Sequence, residues 1–216
     1  MKPCLVVSPH LDDAVLSVGQ FLAGRPDAII ATVFAGTPAD AAQFTTFDRD
    51  SGFTNAQDAV FVRSEEDTAA AGVVHATTVH LSFVDGQYGQ PADTQKIADA
   101  IVDLIDRNRI NLALGPLGLR HPDHIQVSEA FLRALAARPK CHGWLYEELP
   151  ARVWWPEDVP PRLAAVRADG FDPVLGFIGT GPVETKQKAV AAYASQLWAL
   201  DEHCCLVPER LWRAWP

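Results

Sequence analysis

No stretch of this 216-residue sequence stays apolar for the roughly 18 residues that a membrane-spanning helix requires. The first residues, MKPCLVVSPHLDD, reach charged side chains too early to form the apolar part of a secretory signal peptide. These two absences predict a soluble, cytoplasmic protein with no membrane span.

Basic side chains are also scarce, because 18 Lys and Arg stand against 27 Asp and Glu, which gives a net charge of -9. A field of that sign repels phosphate backbones, so we expect no nucleic-acid partner. The four cysteines, Cys4, Cys141, Cys204 and Cys205, show no C-x-x-C spacing, and adjacent cysteines are poorly placed to bridge one another. They are predicted to be reduced thiols with no role in metal binding.

Several enzyme signatures are missing as well. The sequence contains no G-x-x-x-x-G-K-[ST], no G-x-S-x-G and no H-E-x-x-H. Nucleotide binding is therefore disfavoured, as are serine-hydrolase and zincin chemistry on those motifs.

What the sequence does contain is a regular alternation of short β-branched runs and longer segments of helical period. Strands are predicted at 4–7, 28–34, 73–83, 110–114 and 144–146, and helices at 13–22, 64–71, 94–108, 127–135 and 182–200. Residues 36–60 are expected to be a long loop, and Asp169-Gly170 the turn of a late hairpin. This pattern predicts α/β architecture: a single Rossmann-like domain over residues 1–216, with a mostly parallel sheet flanked by helices.

Two short segments that combine His and Asp follow predicted strands. SPHLDD (8–13) comes after the first strand, and RHPDH (120–124) comes after the fourth. In an open α/β sheet, ligands bind outside the carboxyl ends of the strands, where loops lead into helices. Both segments are therefore placed where a functional site is expected.

His10, Asp13 and His124 could supply the three ligands of a catalytic zinc site that keeps its fourth position open. Asp12 could then serve as a general base. The spacing permits this assignment without proving it, because Asp12 or Asp13, like Asp123, could instead cap a helix.

These segments resemble the two metal-binding motifs of the LmbE-like or PIG-L-like zinc-dependent N-deacetylases: PHLDD is similar to (A/P)-H-x-D-D, and HPDH to the second motif. RSEE (63–66) resembles the R-x-x-E helix of that family, DG (85–86) its D-G loop, and KQKAVAAYASQ (186–196) its late K…SQ helix. The resemblance implies a zinc-dependent hydrolase that removes an N-acetyl group from an N-acetylglucosamine-type amino sugar or its glycoconjugate.

Carried onto this sequence, the resemblance implies one Zn²⁺ per chain, with Fe²⁺ as an alternative metal. The implied ligands are His10, Asp13 and His124. Asp12 would be the general base, His121 would stabilise the oxyanion, and Asp123 would orient His121.

Arg63 and Asp85 are the residues expected to bind hydroxyl groups of the sugar. The simpler alternatives are that Arg63 pairs with Glu66 on its helix and that Asp85 only forms a turn. The first motif departs from the family in Ala14, where many members carry Glu.

Two other functions stay open at this stage. One is a metal-dependent amidohydrolase acting on another amide or acyl substrate, and the other is a degenerate, non-catalytic binding module. The expected partner is a small molecule, and the sequence leaves the oligomeric state open.

Overall fold

The computed structural model of the protein describes residues 3–40, 42–89, 92–176, 181–200 and 207–215. Its strands are β1 Leu5–Ser8, β2 Ile29–Thr32, β3 Thr77–His80, β4 Leu112–Pro116, β5 His142–Tyr146, β6 Asp172–Gly176 and β7 Leu211–Trp215. Its α-helices are α1 Asp13–Ala23, α2 Thr46–Asp50, α3 Ala56–Val73, α4 Thr94–Arg107, α5 Pro122–Ala137, α6 Ala151–Trp154, α7 Val159–Ala168 and α8 Val183–Val190. Single 3₁₀ turns lie at Gly86–Tyr88, Pro156–Asp158 and Leu197–Ala199.

The strands form one sheet in the order β3-β2-β1-β4-β5-β7-β6. Neighbours from β3 to β5 pair in parallel, whereas β7 runs antiparallel between β5 and β6. The predicted α/β fold with a mostly parallel, helix-flanked sheet is confirmed. Strand order reverses between β1 and β4, and such a switch point opens a crevice at the carboxyl ends of the two strands.

The core has two layers because alternate residues of each strand face opposite sides of the sheet. Leu5 and Val7 pack with α4, α5 and α7, whereas Val6 packs with α1, α3 and α8. All three side chains are fully buried. Because the central strands are buried on both faces, their sequences are continuous apolar runs.

The segment expected to be a loop, 36–60, in fact contains α2 and the start of α3. Thr45 and Asp48 form a reciprocal capping box at the start of α2, and the Asn55 side chain caps α3 by accepting the Asp58 N–H. Ser64, predicted to begin a helix, lies inside α3 and donates its hydroxyl hydrogen to the Val60 carbonyl, 2.8 Å away. The mixture of polar and apolar side chains concealed the helical period there.

Two predictions for the C-terminal part are wrong. The helix expected at 182–200 ends at Val190, and Asp169-Gly170 does not turn a hairpin, since β6 pairs with β7 and no strand immediately precedes it. Strand β7 was missed.

Cys204 and Cys205 lie outside the described residues, whereas Cys4 and Cys141 are free, buried thiols. No helix in the described parts of the chain is long and apolar enough to cross a bilayer.

Two glycines provide a matched test of packing behind the crevice. A Cβ on Gly115 of β4 would lie 2.4 Å from Cδ1 of the fully buried Phe131, whereas a Cβ on Gly72 of α3 would meet nothing within 4 Å. Gly115→Ala should therefore destabilise the protein by about 1–3 kcal/mol. Gly72→Ala should stabilise it by about 0.5–1 kcal/mol, because alanine is the better helix former. Urea unfolding measures both, and equal effects would contradict this description of the core.

Candidate active site

The loop that follows β1 is held in shape by the hydroxyl of Ser8. This hydroxyl donates to the His10 carbonyl at 2.7 Å and accepts the Ala14 N–H at 3.0 Å. Asp12 occupies the N-cap position of α1, but its side chain makes no capping hydrogen bond. Its carboxylate therefore remains available to line the crevice. Helix capping, the alternative considered above, does not explain the presence of Asp12.

Three side-chain atoms converge at the bottom of the crevice, one from the loop after β1 and two from the first turns of α1 and α5. Nδ1 of His10 lies 3.1 Å from Oδ2 of Asp13 and 3.2 Å from Nε2 of His124, and the last two atoms are 3.1 Å apart. Tetrahedral zinc, with bonds of about 2.0–2.1 Å, separates its ligand atoms by about 3.3–3.4 Å. These residues fit a small divalent cation with N and O ligands.

Electrostatics favour positive charge between these three groups. Burial alone would raise the pKa of Asp13, but the charge of His124 and hydrogen bonds from both imidazoles hold it well below its usual range. Burial likewise opposes ionisation of His124, yet the Asp13 carboxylate raises the pKa of His124 to about 9. A divalent cation would supply the same compensation to the buried Asp13.

Asp12 differs from its neighbour in its electrostatic environment. Burial first, and the negative charge of Asp13 second, raise the pKa of Asp12 to about 7. A carboxyl group with a pKa in that range can both accept and return a proton near neutral pH.

The carboxylate of Asp123 contacts a different ring from the one predicted. Its Oδ2 lies 3.1 Å from Nε2 of His10 and accepts the Gly86 N–H at 3.0 Å, so its carboxylate contacts His10 and not His121. His121 caps α5, and its Nδ1 accepts the backbone N–H of Asp123 at 3.3 Å. Burial, followed by the charges of His10 and His124, lowers the pKa of His121. The geometry thus favours a neutral ring whose Nε2 carries the hydrogen.

A cavity of about 420 Å³ opens above the cluster. Asp12, Asp13, His10 and His121 line its lower part, and Gln87 and Tyr88 belong to its polar wall. The volume falls within the range of about 300–1,000 Å³ that small-molecule sites occupy.

Arg63 borders this cavity but is already engaged within the protein. Its guanidinium donates to Oδ1 of the fully buried Asp48 at 2.8 Å and stacks over the ring of Phe47, with 4.8 Å from Cζ to the centroid. It does not pair with Glu66, whose carboxylate instead accepts two hydrogen bonds from Ser195. Arg63 therefore secures α2 against α3.

Asp85 lies in the cavity wall, and it also forms a turn. Its two carboxylate oxygens accept the backbone and side-chain N–H groups of Gln87 at 2.9 and 2.8 Å, and Oδ2 lies 3.9 Å from Nε2 of His10. The turn interpretation and a role at the site are thus compatible.

Sequence reasoning assigned no role to two residues that support the loops beside the candidate metal ligands. Gln196 donates its side-chain N–H to the Leu11 carbonyl at 2.9 Å, and both groups are buried. The K…SQ pattern was the only signal for Gln196. Glu148, fully buried beside His124, gave no signal, because it simply follows a strand in the sequence.

Comparisons with known proteins bear on the family and on the fold. The profile of the family described as PIG-L, GlcNAc-PI de-N-acetylase, matches residues 5–135. No curated protein sequence gives a match.

Solved structures give fuller coverage. The zinc-inhibited form of teicoplanin deacetylase is 26% identical over 98% of this chain and 97% of its own, with a TM-score of 0.76. The A40926 pseudoaglycone deacetylase is 28% identical over 99% and 97%, with a TM-score of 0.73. N,N'-diacetylchitobiose deacetylase from Pyrococcus horikoshii, at 16% identity over 90% and 70% and a TM-score of 0.59, shares the fold.

The buried Arg63–Asp48 pair yields a stability prediction. Arg63→Met leaves an unpaired carboxylate in the core and should lower the free energy of unfolding by about 3–5 kcal/mol. Adding Asp48→Asn should recover part of this loss, because the two residues interact directly. Arg49→Met, an exposed control on α2, the helix of Asp48, should change stability by no more than about 0.5 kcal/mol. Urea unfolding of the three variants and the parent decides, and a fully stable Arg63→Met protein would favour the substrate-binding interpretation instead.

Proposed function

Since the chain belongs to the PIG-L family of GlcNAc-PI de-N-acetylases, we propose that it is a zinc-dependent hydrolase that removes an N-acetyl group from an N-acetylglucosamine-type amino sugar or its glycoconjugate. The observation that carries this proposal is the triangle of His10, Asp13 and His124 atoms at the bottom of a cavity also lined by Asp12. The related deacetylases of teicoplanin and of the A40926 pseudoaglycone support the same reaction class.

The metal proposed here is one Zn²⁺ per chain, held by Nδ1 of His10, Oδ2 of Asp13 and Nε2 of His124. Two imidazoles and one carboxylate suit zinc, and ferrous iron is the alternative. A zinc-inhibited form of a related deacetylase supports access of zinc to such a site. When bound, the cation would activate water and polarise the amide carbonyl.

Asp12 is proposed to accept a proton from the attacking water, and His121 to donate an N–H hydrogen bond from Nε2 to the developing oxyanion. The backbone N–H of Asp123 on Nδ1 of His121 keeps Nε2 as the donor. As the carbon–nitrogen bond breaks, the proton that Asp12 accepted from the water passes to the amine nitrogen, so that acetate and a free amine leave. Asp123 orients His10 during this sequence.

Asp85 is proposed to accept hydrogen bonds from sugar hydroxyls at the cavity wall. Arg63 lines the same cavity, but its Nη1 donates to Asp48 at 2.8 Å and its Nη2 to Ser51 at 3.3 Å, so little of its guanidinium would be left for the sugar. We therefore assign the larger share of hydroxyl recognition to Asp85.

Metal content and activity should separate in two variants. His124→Ala removes a ligand, so it should lose the metal measured by elemental analysis. Asp12→Asn keeps the shape of the side chain but cannot accept a proton, so it should retain the metal and lose activity by about 100-fold to 10,000-fold. Unchanged metal content in His124→Ala would contradict the ligand set.

The substrate proposal is tested by acetate release from a panel of N-acetyl amino sugars, their glycosides and unrelated amides. Asp85→Ala should lower kcat/KM on the amino sugars by about 10-fold to 150-fold, which corresponds to one lost hydrogen bond to a charged group. Asp93→Ala is the matched control, because Asp93 also accepts the N–H two residues ahead but begins α4. It should leave kcat/KM unchanged. Acetate released from other amides alone would identify the protein as a different amidohydrolase.

A further inference from the structure

Glu148 is a fully buried carboxylate beyond the end of β5. Its Oε1 accepts the backbone N–H groups of Gly118 and Leu119 at 2.7 and 2.8 Å. Those residues belong to the loop between β4 and α5, which leads to His124. The carboxylate therefore fixes the position of the loop between β4 and α5.

The same oxygen of Glu148 lies 3.4 Å from Nδ1 of His124, which is the ring nitrogen that points away from Asp13. This Nδ1 and Oε2 of Glu148 are both buried, and neither has a hydrogen-bond partner in the described part of the chain. Leaving a buried N–H without a partner costs about 1–3 kcal/mol, so a hydrogen on Nδ1 is favoured by the carboxylate that faces it.

We propose that Glu148 is a positioning residue that keeps the hydrogen of the His124 ring on Nδ1, and thereby leaves the lone pair of Nε2 free to bind the metal. A neutral imidazole carries one N–H, and the nitrogen that faces a carboxylate is the one that retains it. This inference rests on the metal site of the proposed function and adds a residue that neither sequence motif contains.

The other proposed histidine ligand presents the opposite ring nitrogen to the site, and this supports the proposal. His10 faces the site with Nδ1, and its Nε2 contacts Asp123 at 3.1 Å. Each imidazole thus has a carboxylate behind the nitrogen that does not point at the metal site, although one ring uses Nδ1 and the other Nε2. Asp123 and Glu148 would fix these two different tautomers.

Glu148→Gln separates this role from simple support of the loop. The amide oxygen can still accept the Gly118 and Leu119 N–H groups, so the metal-free fold should survive. The oxygen that stays opposite Nδ1 of His124 then belongs to a neutral amide, which is a weaker acceptor than a carboxylate, so the ring hydrogen is held on Nδ1 less firmly. We expect the Kd for zinc alone, measured by chelator competition, to rise by about 10-fold to 100-fold.

Glu147→Gln is the matched control. Glu147 is the adjacent carboxylate and is almost as buried, but it accepts the indole N–H of Trp212 at 2.8 Å and pairs with Arg152 and Arg210, none of which is a proposed ligand. Its substitution should leave the Kd for zinc unchanged, and the thermal unfolding of both metal-free variants should be compared with that of the parent.

The outcomes distinguish the two proposals. A parent protein that binds no zinc overturns the proposed function and this inference with it. A parent that binds zinc with the same Kd as Glu148→Gln overturns only the role of Glu148. If Glu148→Gln fails to fold, ¹⁵N NMR of the zinc-loaded parent decides: we expect His124 to carry its hydrogen on Nδ1 and the metal on Nε2, and the reverse arrangement overturns the inference.

Discussion

The attraction between one buried carboxylate and two imidazoles is the interaction on which the site depends. Asp13 lies within 3.1 Å of a nitrogen from each of His10 and His124, and its side chain is only 8% exposed. Burying such a charge is costly unless it is compensated. The loop after β1 and the first turns of α1 and α5, which carry these residues, must therefore keep their relative positions. This requirement explains much of the surrounding structure.

The supports of the first loop come from distant parts of the chain. Gln196 holds the Leu11 carbonyl, while the fully buried Lys186 pairs with Glu209, whose carboxylate accepts N–H groups near the end of α1. This arrangement gives a physical reason for the K…SQ segment to resemble the family. The segment fixes the loop and the helix that present His10, Asp12 and Asp13.

The central strands and both His/Asp segments could be predicted because they depend on local pattern: apolar runs buried on both faces, each followed by a loop. The α2–α3 region could not, since its capping box at Thr45 and its Arg63–Asp48 pair are tertiary features within a polar stretch. The partner of Asp123 was mispredicted for a related reason. Spacing in a sequence places a side chain at a strand end but does not say which ring it will face across the crevice.

The antiparallel insertion of β7 has a consequence for the order in which the sheet forms. Strands β1 to β5 pair directly with one another, whereas β6, within the described residues, forms its ladder only with β7, which follows it in the chain. Until β7 docks, β5 is left with an open edge, and β6 has no place in the sheet. Such edges are templates for pairing with other chains, so aggregation during folding should begin at this end of the sheet, away from the crevice between β1 and β4.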